Sequence, residues 1–195
     1  MELIVILVIA VVLAGWFILT YNKFVQMIEA VTNSEKEISV QLDRRGKVFD
    51  SLISAVKKYM DHEQGVFAKV TELRSQAKQG NALKDGQAHQ AEDELSKIIS
   101  SGELTSSLNL TMEAYPELKA NENMQQLQEE IVSTENKLTF AKKAFNNAIE
   151  AYNVKLKSIP DMFVPAIASS LKKDFEYWSL NDEEVEQAEA RRVEF

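Results

Sequence analysis

Histidine is the side chain that most often carries chemistry near neutral pH, and this chain contains only His62 and His89. His62 is followed by Glu63, but Val66 stands where the zinc-binding H-E-x-x-H pattern needs its second histidine. A carboxylate-bridged pair of metals in a helical bundle would need Glu-x-x-His on two helices, and the sequence contains no such motif. We therefore expect no metal site and no other cofactor.

The residues needed for nucleophilic catalysis or phosphate binding are also missing. The chain has no cysteine, no G-x-S-x-G turn and no glycine-rich phosphate loop. Its net charge is −8, and the basic groups at 44–47 and 142–143 stand among carboxylates, which argues against nucleic acid. The sequence indicates a protein that is not an enzyme, and it suggests no small-molecule substrate.

Several charged residues interrupt an otherwise apolar helical stripe, where an unpaired charge would cost several kcal/mol. Arg45 is the most prominent, and it could face Glu130 or Glu135. A polar residue at a core position can fix the alignment of helices, so we favour a structural role over ligand binding. The predicted polar core comprises Glu35, Arg45, Glu63, Glu135 and Asn136.

Asparagines are concentrated at positions 121, 123, 136, 146, 147 and 153. Buried amides at these positions could form a polar network or bind a peptide. More commonly such residues line a solvated face or hold a helix pair in register. We favour this second interpretation.

An uncharged run at residues 3–19, LIVILVIAVVLAGWFIL, could span a membrane, which takes roughly 17–25 residues. Trp16 and Tyr21 lie near its end, where amphipathic rings favour the membrane interface. Glu2 precedes the run and no A-x-A-like cleavage site follows it, which argues against a cleaved signal peptide. The sequence predicts a transmembrane anchor over residues 1–21.

A stripe of residues spaced by three or four begins at Phe24 and continues to Ala77. Gly46 and Gly65 are its only glycines, and it contains no proline. A 3.5-residue repeat faces one seam of a helical bundle, so the pattern predicts one long helix over 22–79, continuing from the anchor.

Two further helices are expected. The weaker one covers 87–115, with a kink or break at Gly102, and the stronger one begins at the N-cap Asn121 and ends at Pro160. The predicted fold is all-α: an N-terminal transmembrane helix, then a long antiparallel bundle of three to four helices over 22–160. Candidate core residues are Leu95, Ile98, Ile99, Leu104, Leu108 and Met112 in the weaker helix, and Met124, Leu127, Ile131, Thr134, Leu138, Ala141, Phe145, Ala148, Tyr152, Leu156 and Ile159 in the stronger.

The segment 161–180 is predicted to form an amphipathic helix that caps the bundle or lies on the membrane surface. Capping is favoured, because the polar face has only two basic residues, Lys172 and Lys173, and nearby carboxylates offset their charge. The charged stretch 181–195 is expected to be flexible. The candidate membrane-interface residues are Trp16, Tyr21, Phe163, Ile167, Leu171, Phe175 and Trp178.

Several short motifs follow one another in order: V-Q-L-x-R-R at 40–45, H-E at 62–63, Y-P-x-L-K-A-N at 115–121, T-E-N at 134–136 and Y-N at 152–153. With these motifs the chain closely resembles the LemA family of bacterial membrane proteins over roughly residues 1–178. Gly46 and Asp50 depart from the family pattern, which has a polar residue and a proline there.

The resemblance implies a helical bundle anchored in the bacterial cell (inner) membrane, with a short N-terminus outside. Magnetosome proteins of the MamQ type look similar, which suggests roles in membrane organisation. Lys23 and Lys36 follow the span and no Lys or Arg precedes it, which also favours a cytoplasmic bundle.

We therefore expect a non-enzymatic scaffold, held by the lipid bilayer, that self-associates as a homo-oligomer or binds another membrane protein. One alternative is a lipid-binding or membrane-remodelling protein that acts through the helix at 161–180. Another is a regulatory subunit of a membrane enzyme such as a protease.

Overall fold

The computed structural model describes residues 1–57, 65–79, 86–119 and 122–178. These ranges contain helices and connecting turns but no strand, which confirms the all-α prediction. The helices are α1 (Glu2–Lys57), α2 (Val66–Gln79), α3 (Gly86–Ser100), α4 (Glu103–Ala114), α5 (Pro116–Lys119), α6 (Glu122–Lys157) and α7 (Phe163–Ile167), followed by one 3-10 turn (Ser169–Leu171).

The N-terminal part of α1 is apolar on every face and packs against almost nothing. Its most apolar 18-residue window is only 6% buried. Leucine, isoleucine and valine so exposed in water would be unfavourable, and a helix of this length can cross the hydrocarbon layer of a bilayer. One N-terminal apolar helix thus fits a single-pass membrane anchor.

The prediction of one helix over 22–79 is wrong at its C-terminal end. Helix α1 ends at Lys57, and Arg74 of α2 forms an ion pair with Asp50 of α1. In a continuous helix these two residues, separated by 24 positions, would lie about 36 Å apart. The chain therefore reverses direction between α1 and α2.

The repeating apolar pattern gave no sign of this reversal, because α1 and α2 each bury an apolar face in the same core. Leu52 and Val56 of α1 belong to the same buried cluster as Val70 and Leu73 of α2. A periodic apolar pattern reports that a face is buried and carries no information on whether the chain has turned back. The predicted polar residue Glu63 falls outside the described residues.

The break predicted at Gly102 is present between α3 and α4. Gly102 has φ of 77°, in the left-handed region that glycine adopts without the steric cost of a Cβ atom. All six core residues predicted for this helical pair are buried, from Leu95 to Met112.

The described residues divide into two compact units, each containing part of α1 and part of α6. The second unit, residues 37–141, has a core built from α1, α2, α3, α4 and α6. Its fully buried side chains include Phe49, Leu52, Leu95, Leu104 and Met124.

The first unit, residues 1–36 and 142–178, packs around Tyr152. The Tyr152 ring meets Phe24 edge to face at 6.2 Å between centroids and Phe175 at 5.2 Å. Thr20, four residues before Phe24, donates a hydrogen bond at 3.4 Å to Asp161, nine residues after Tyr152. The two contacts together show that α1 and α6 run antiparallel within this unit. Val164 and Leu171 complete the buried cluster.

The predicted amphipathic helix at 161–180 is replaced by a short helix and a strap. Helix α7 is only five residues long, and residues 172–178 have no regular secondary structure. We call residues 168–178 the strap. Pro160 and Pro165 lack the N–H donors that a longer helix would need. The predicted flexible tail at 181–195 lies outside the described residues.

Side chains of α6 supply the hydrogen bonds that a helix would have given the strap. The Tyr152 hydroxyl donates to the Leu171 carbonyl and accepts from the Lys173 N–H, both at 2.8 Å. The Asn146 amide donates to the Trp178 carbonyl and accepts from the Trp178 N–H, both at 2.9 Å. These bonds hold the strap extended along α6.

Tyr152→Phe removes the hydroxyl that satisfies two backbone groups of the strap. We expect the free energy of unfolding to fall by about 1–3 kcal/mol, because a buried donor and acceptor lose their partner. Hydrogen exchange at the Lys173 amide of the full-length protein in detergent should accelerate.

The matched control is Tyr177→Phe, since Tyr177 is 48% exposed and its hydroxyl only accepts from Asn153, at 3.1 Å. This change should alter stability by less than about 0.5 kcal/mol. Equal acceleration of exchange at Lys173 in both variants would show that the Tyr152 hydroxyl does not secure the strap.

Candidate functional site

Among the described residues of the second unit, the most deeply buried charge is Arg45 of α1, which is 1% exposed. Its Nη1 donates to Glu135 of α6 and to Ser96 of α3, both at 2.9 Å. Its Nη2 forms an ion pair with the Glu92 carboxylate of α3 and donates to the Glu92 carbonyl at 3.4 Å. One guanidinium thus connects three helices.

Burial lowers the pKa of Arg45 from its usual value, and the adjacent Glu135 carboxylate opposes that shift. An arginine remains protonated in proteins, so the group stays a buried cation neutralised by carboxylates. The fork of donors suits two carboxylates and a hydroxyl at fixed angles. The arrangement fixes the relative alignment of α1, α3 and α6, and it supplies no group poised for proton transfer.

A cleft of about 650 Å³ adjoins this network between α1, α2 and α3. At its wall, Arg74 pairs with Asp50 and lies over Gly46, where an added Cβ would be 3.7 Å from Arg74 Nη2. Arg74 of α2 therefore pairs with Asp50 and lies within van der Waals distance of position 46.

A second depression, of about 600 Å³, lies between α4 and α6 in the second unit. Its most exposed apolar residues are Phe140, at 72%, and Val132, at 47%. Asn136 is exposed midway between them, one helical turn from each. We call this depression the α4–α6 groove; it is lined by Thr105, Gln128, Glu129, Val132, Ser133, Asn136, Lys137 and Phe140.

The predicted polar-core residues are only partly brought together. Arg45 and Glu135 are in contact, whereas Glu130 instead pairs with Arg44 at 2.7 Å on the surface. Glu35 is half-buried and lies in the first unit, so it is not part of the cluster around Arg45. Asn136 is exposed in the groove and so is not part of this core.

Sequence inspection missed Glu92, although a signal for it existed. Glu92 follows the buried Ala88 by four positions and precedes Leu95 by three, which places it on the buried face of α3. A glutamate on such a face implies a buried cationic partner. Ser96 offered no comparable signal, because a serine is common on any helix face.

The candidate membrane-interface residues separate into two groups within the first unit. Leu171 and Trp178 are buried and hold the strap, and the Lys142 ammonium lies 4.6 Å from the Trp178 ring centroid. Phe163 and Ile167, in contrast, are exposed. The half-buried members are Trp16, Tyr21 and Phe175.

Across the described part of the chain, no group of three histidine, aspartate or glutamate side chains is arranged to hold a metal ion. His89 lies in α3 with its Nε2 3.0 Å from the Asp93 carboxylate. The motif at 62–63 falls outside the described residues.

Arg45→Met should strongly destabilise the second unit, because Glu92 and Glu135 would remain buried without a counter-charge. We expect the free energy of unfolding to fall by about 3–5 kcal/mol. Replacing both glutamates by leucine in the same variant should restore most of that loss, since no buried charge would remain. Urea unfolding of the full-length protein in detergent, followed by circular dichroism, measures both changes.

Arg44→Met is the matched control, one residue earlier on the same helix. The Arg44–Glu130 pair is 44% and 41% exposed, so its loss should cost less than about 1 kcal/mol. Equal destabilisation by the two variants would contradict the central role given to Arg45.

A comparison with protein-family models agrees with the resemblance that the sequence motifs indicated. The family model described as LemA matches residues 34–195, which is most of the chain. No curated protein matches the sequence. The chain therefore belongs to the LemA family.

Proposed function

We propose that this LemA-family protein is a non-enzymatic, membrane-anchored scaffold that self-associates through the α4–α6 groove. The observation that supports it is the exposed sequence of Val132, Asn136 and Phe140 along one face of α6. An exposed phenylalanine beside a groove is a feature of protein interfaces.

The spacing of these three residues is self-complementary. Val132 and Phe140 each lie four positions from Asn136. A two-fold axis through Asn136 would set Val132 of one copy against Phe140 of an antiparallel second copy, and the two asparagines against each other. Paired asparagine amides inside an apolar helix contact can satisfy one another and fix its register.

Gln128, at the edge of the groove, supplies a second argument. Its Nε2 is buried and finds no hydrogen-bond partner within the described structure. An unsatisfied buried amide costs roughly 1–3 kcal/mol, and rotation of this partly exposed side chain toward an acceptor on a second copy would recover that cost. An amide without a hydrogen-bond partner thus lies beside Val132, Asn136 and Phe140.

In this proposal the bundle lies on the cytoplasmic side of the membrane. Lys23 and Lys36 support this orientation, because positive residues near the end of a span are retained on that side.

The absence of cysteine from the chain makes a cross-linking test direct. Asn136→Cys would place two thiols together on the proposed axis, and a short bismaleimide added to membranes holding the full-length protein should produce a covalent dimer. Gln90→Cys, on the exposed face of α3, is the control and should remain monomeric. Adding Phe140→Asp to Asn136→Cys should abolish the dimer, because it buries a charge against the Val132 of the second copy.

A monomer in every variant would overturn self-association through the groove. Adducts of Asn136→Cys with a different membrane protein would replace it with the hetero-association expected from a scaffold or from a regulatory subunit. Equal cross-linking of Asn136→Cys and Gln90→Cys would show random collision and would also count against the proposal.

A further inference from the structure

An apolar patch lies on the turn that connects α6 to α7 in the first unit. It comprises Ile159, Met162, Phe163 and Ile167, which are 79%, 43%, 55% and 75% exposed. We call these four residues the apolar turn patch. Four large apolar side chains exposed within nine residues are unfavourable in water and indicate that something covers them.

The turn is fixed beside the end of the apolar run of α1. Asp161 accepts a hydrogen bond from Thr20, the residue that follows Leu19 at the end of that run, and binds the Lys155 ammonium at 2.6 Å. Asp161 stands between Ile159 and Met162 in the chain. The patch is therefore held at the height along α1 where its apolar run ends.

The protein core of the first unit overlaps the apolar run. Trp16 and Phe17 pack against the cluster that contains Val164 and Leu171. Trp16 precedes Thr20 by four positions, which is about 6 Å along the helix axis. A segment that packs beside residues of the span cannot lie wholly above the bilayer when the span is inserted.

From these observations we infer that the apolar turn patch inserts into the interface of the lipid bilayer beside the anchor. The covering partner is lipid, because the Thr20–Asp161 hydrogen bond holds the patch beside the end of the apolar run, which a bilayer would surround. The site differs from the amphipathic helix expected from the sequence: Leu171 and Trp178 bury their side chains in the protein, and Ile159 and Met162 take their place toward lipid.

The test uses single cysteines in the cysteine-free, full-length protein, purified and reconstituted in phosphatidylcholine nanodiscs. A small fluorophore is attached at Ile159→Cys or Ile167→Cys, positions so exposed that the change removes no packing. Quenching is measured with a nitroxide on the upper acyl chain of the lipid and, separately, with iodide in water. Leu19→Cys is the reference inside the span.

The control is Ala144→Cys, since Ala144 is exposed in the same unit. It lies eight positions before Tyr152, so along α6 it is about 12 Å farther from the α6–α7 turn than Tyr152 is. Both patch labels should be quenched by the lipid nitroxide several-fold more strongly than the control, and within about twofold of Leu19→Cys if they reach the interface. Iodide should quench them several-fold less than it quenches the control.

Two outcomes would overturn the inference. Quenching of the patch labels by iodide as strong as at Ala144→Cys would show that the patch faces water. Protection from iodide without quenching by the lipid nitroxide would show that protein covers the patch. Neither result depends on whether Asn136→Cys forms a dimer, so this inference and the proposed self-association can fail separately.

Discussion

The second unit depends on the compensation of one buried positive charge. Arg45 brings a guanidinium into a core of leucine, isoleucine and phenylalanine, and that burial is tolerable only where carboxylates meet it at the correct angles. Glu92 and Glu135 come from two different helices, so the requirement acts on the alignment of three helices at once. A core of aliphatic side chains alone would permit α1 to slide against its neighbours by one turn at a small cost, whereas this ion cluster does not.

The first unit solves a different problem with hydrogen bonds from side chains to backbone. After its 3-10 turn, the strap has no helix or sheet to satisfy the N–H and C=O groups of residues 172–178. Tyr152 and Asn146 each take both a donor and an acceptor role toward it, as a neighbouring strand would. Hydroxyls and amides can do this because each carries a donor and an acceptor. The asparagines of the sequence are thus divided in role: Asn146 binds backbone, and Asn136 is exposed.

Much of the helical architecture followed from the sequence, because apolar periodicity, Gly102 and Pro160 are local signals. The contact of Arg45 with Glu135 was also within reach, since a charge on an apolar stripe demands a partner. The reversal after Lys57 was not, because the stripes of α1 and α2 keep the same phase while the chain turns back. The strap was missed for a related reason: the spacing of Phe163, Ile167 and Leu171 suits a helix, and the competing hydrogen bonds come from residues up to 32 positions away.

Helix α1 leaves the apolar run and enters the core of the first unit without a break at residues 19–24. A flexible linker at this point would let an outer domain reorient independently of its span. Here the last turns of the span are already part of the folded unit. When a bilayer of different thickness tilts the anchor to match its hydrocarbon depth, the first unit must tilt with it as one body. The orientation of the folded part of the first unit thereby depends on the lipid composition of the membrane.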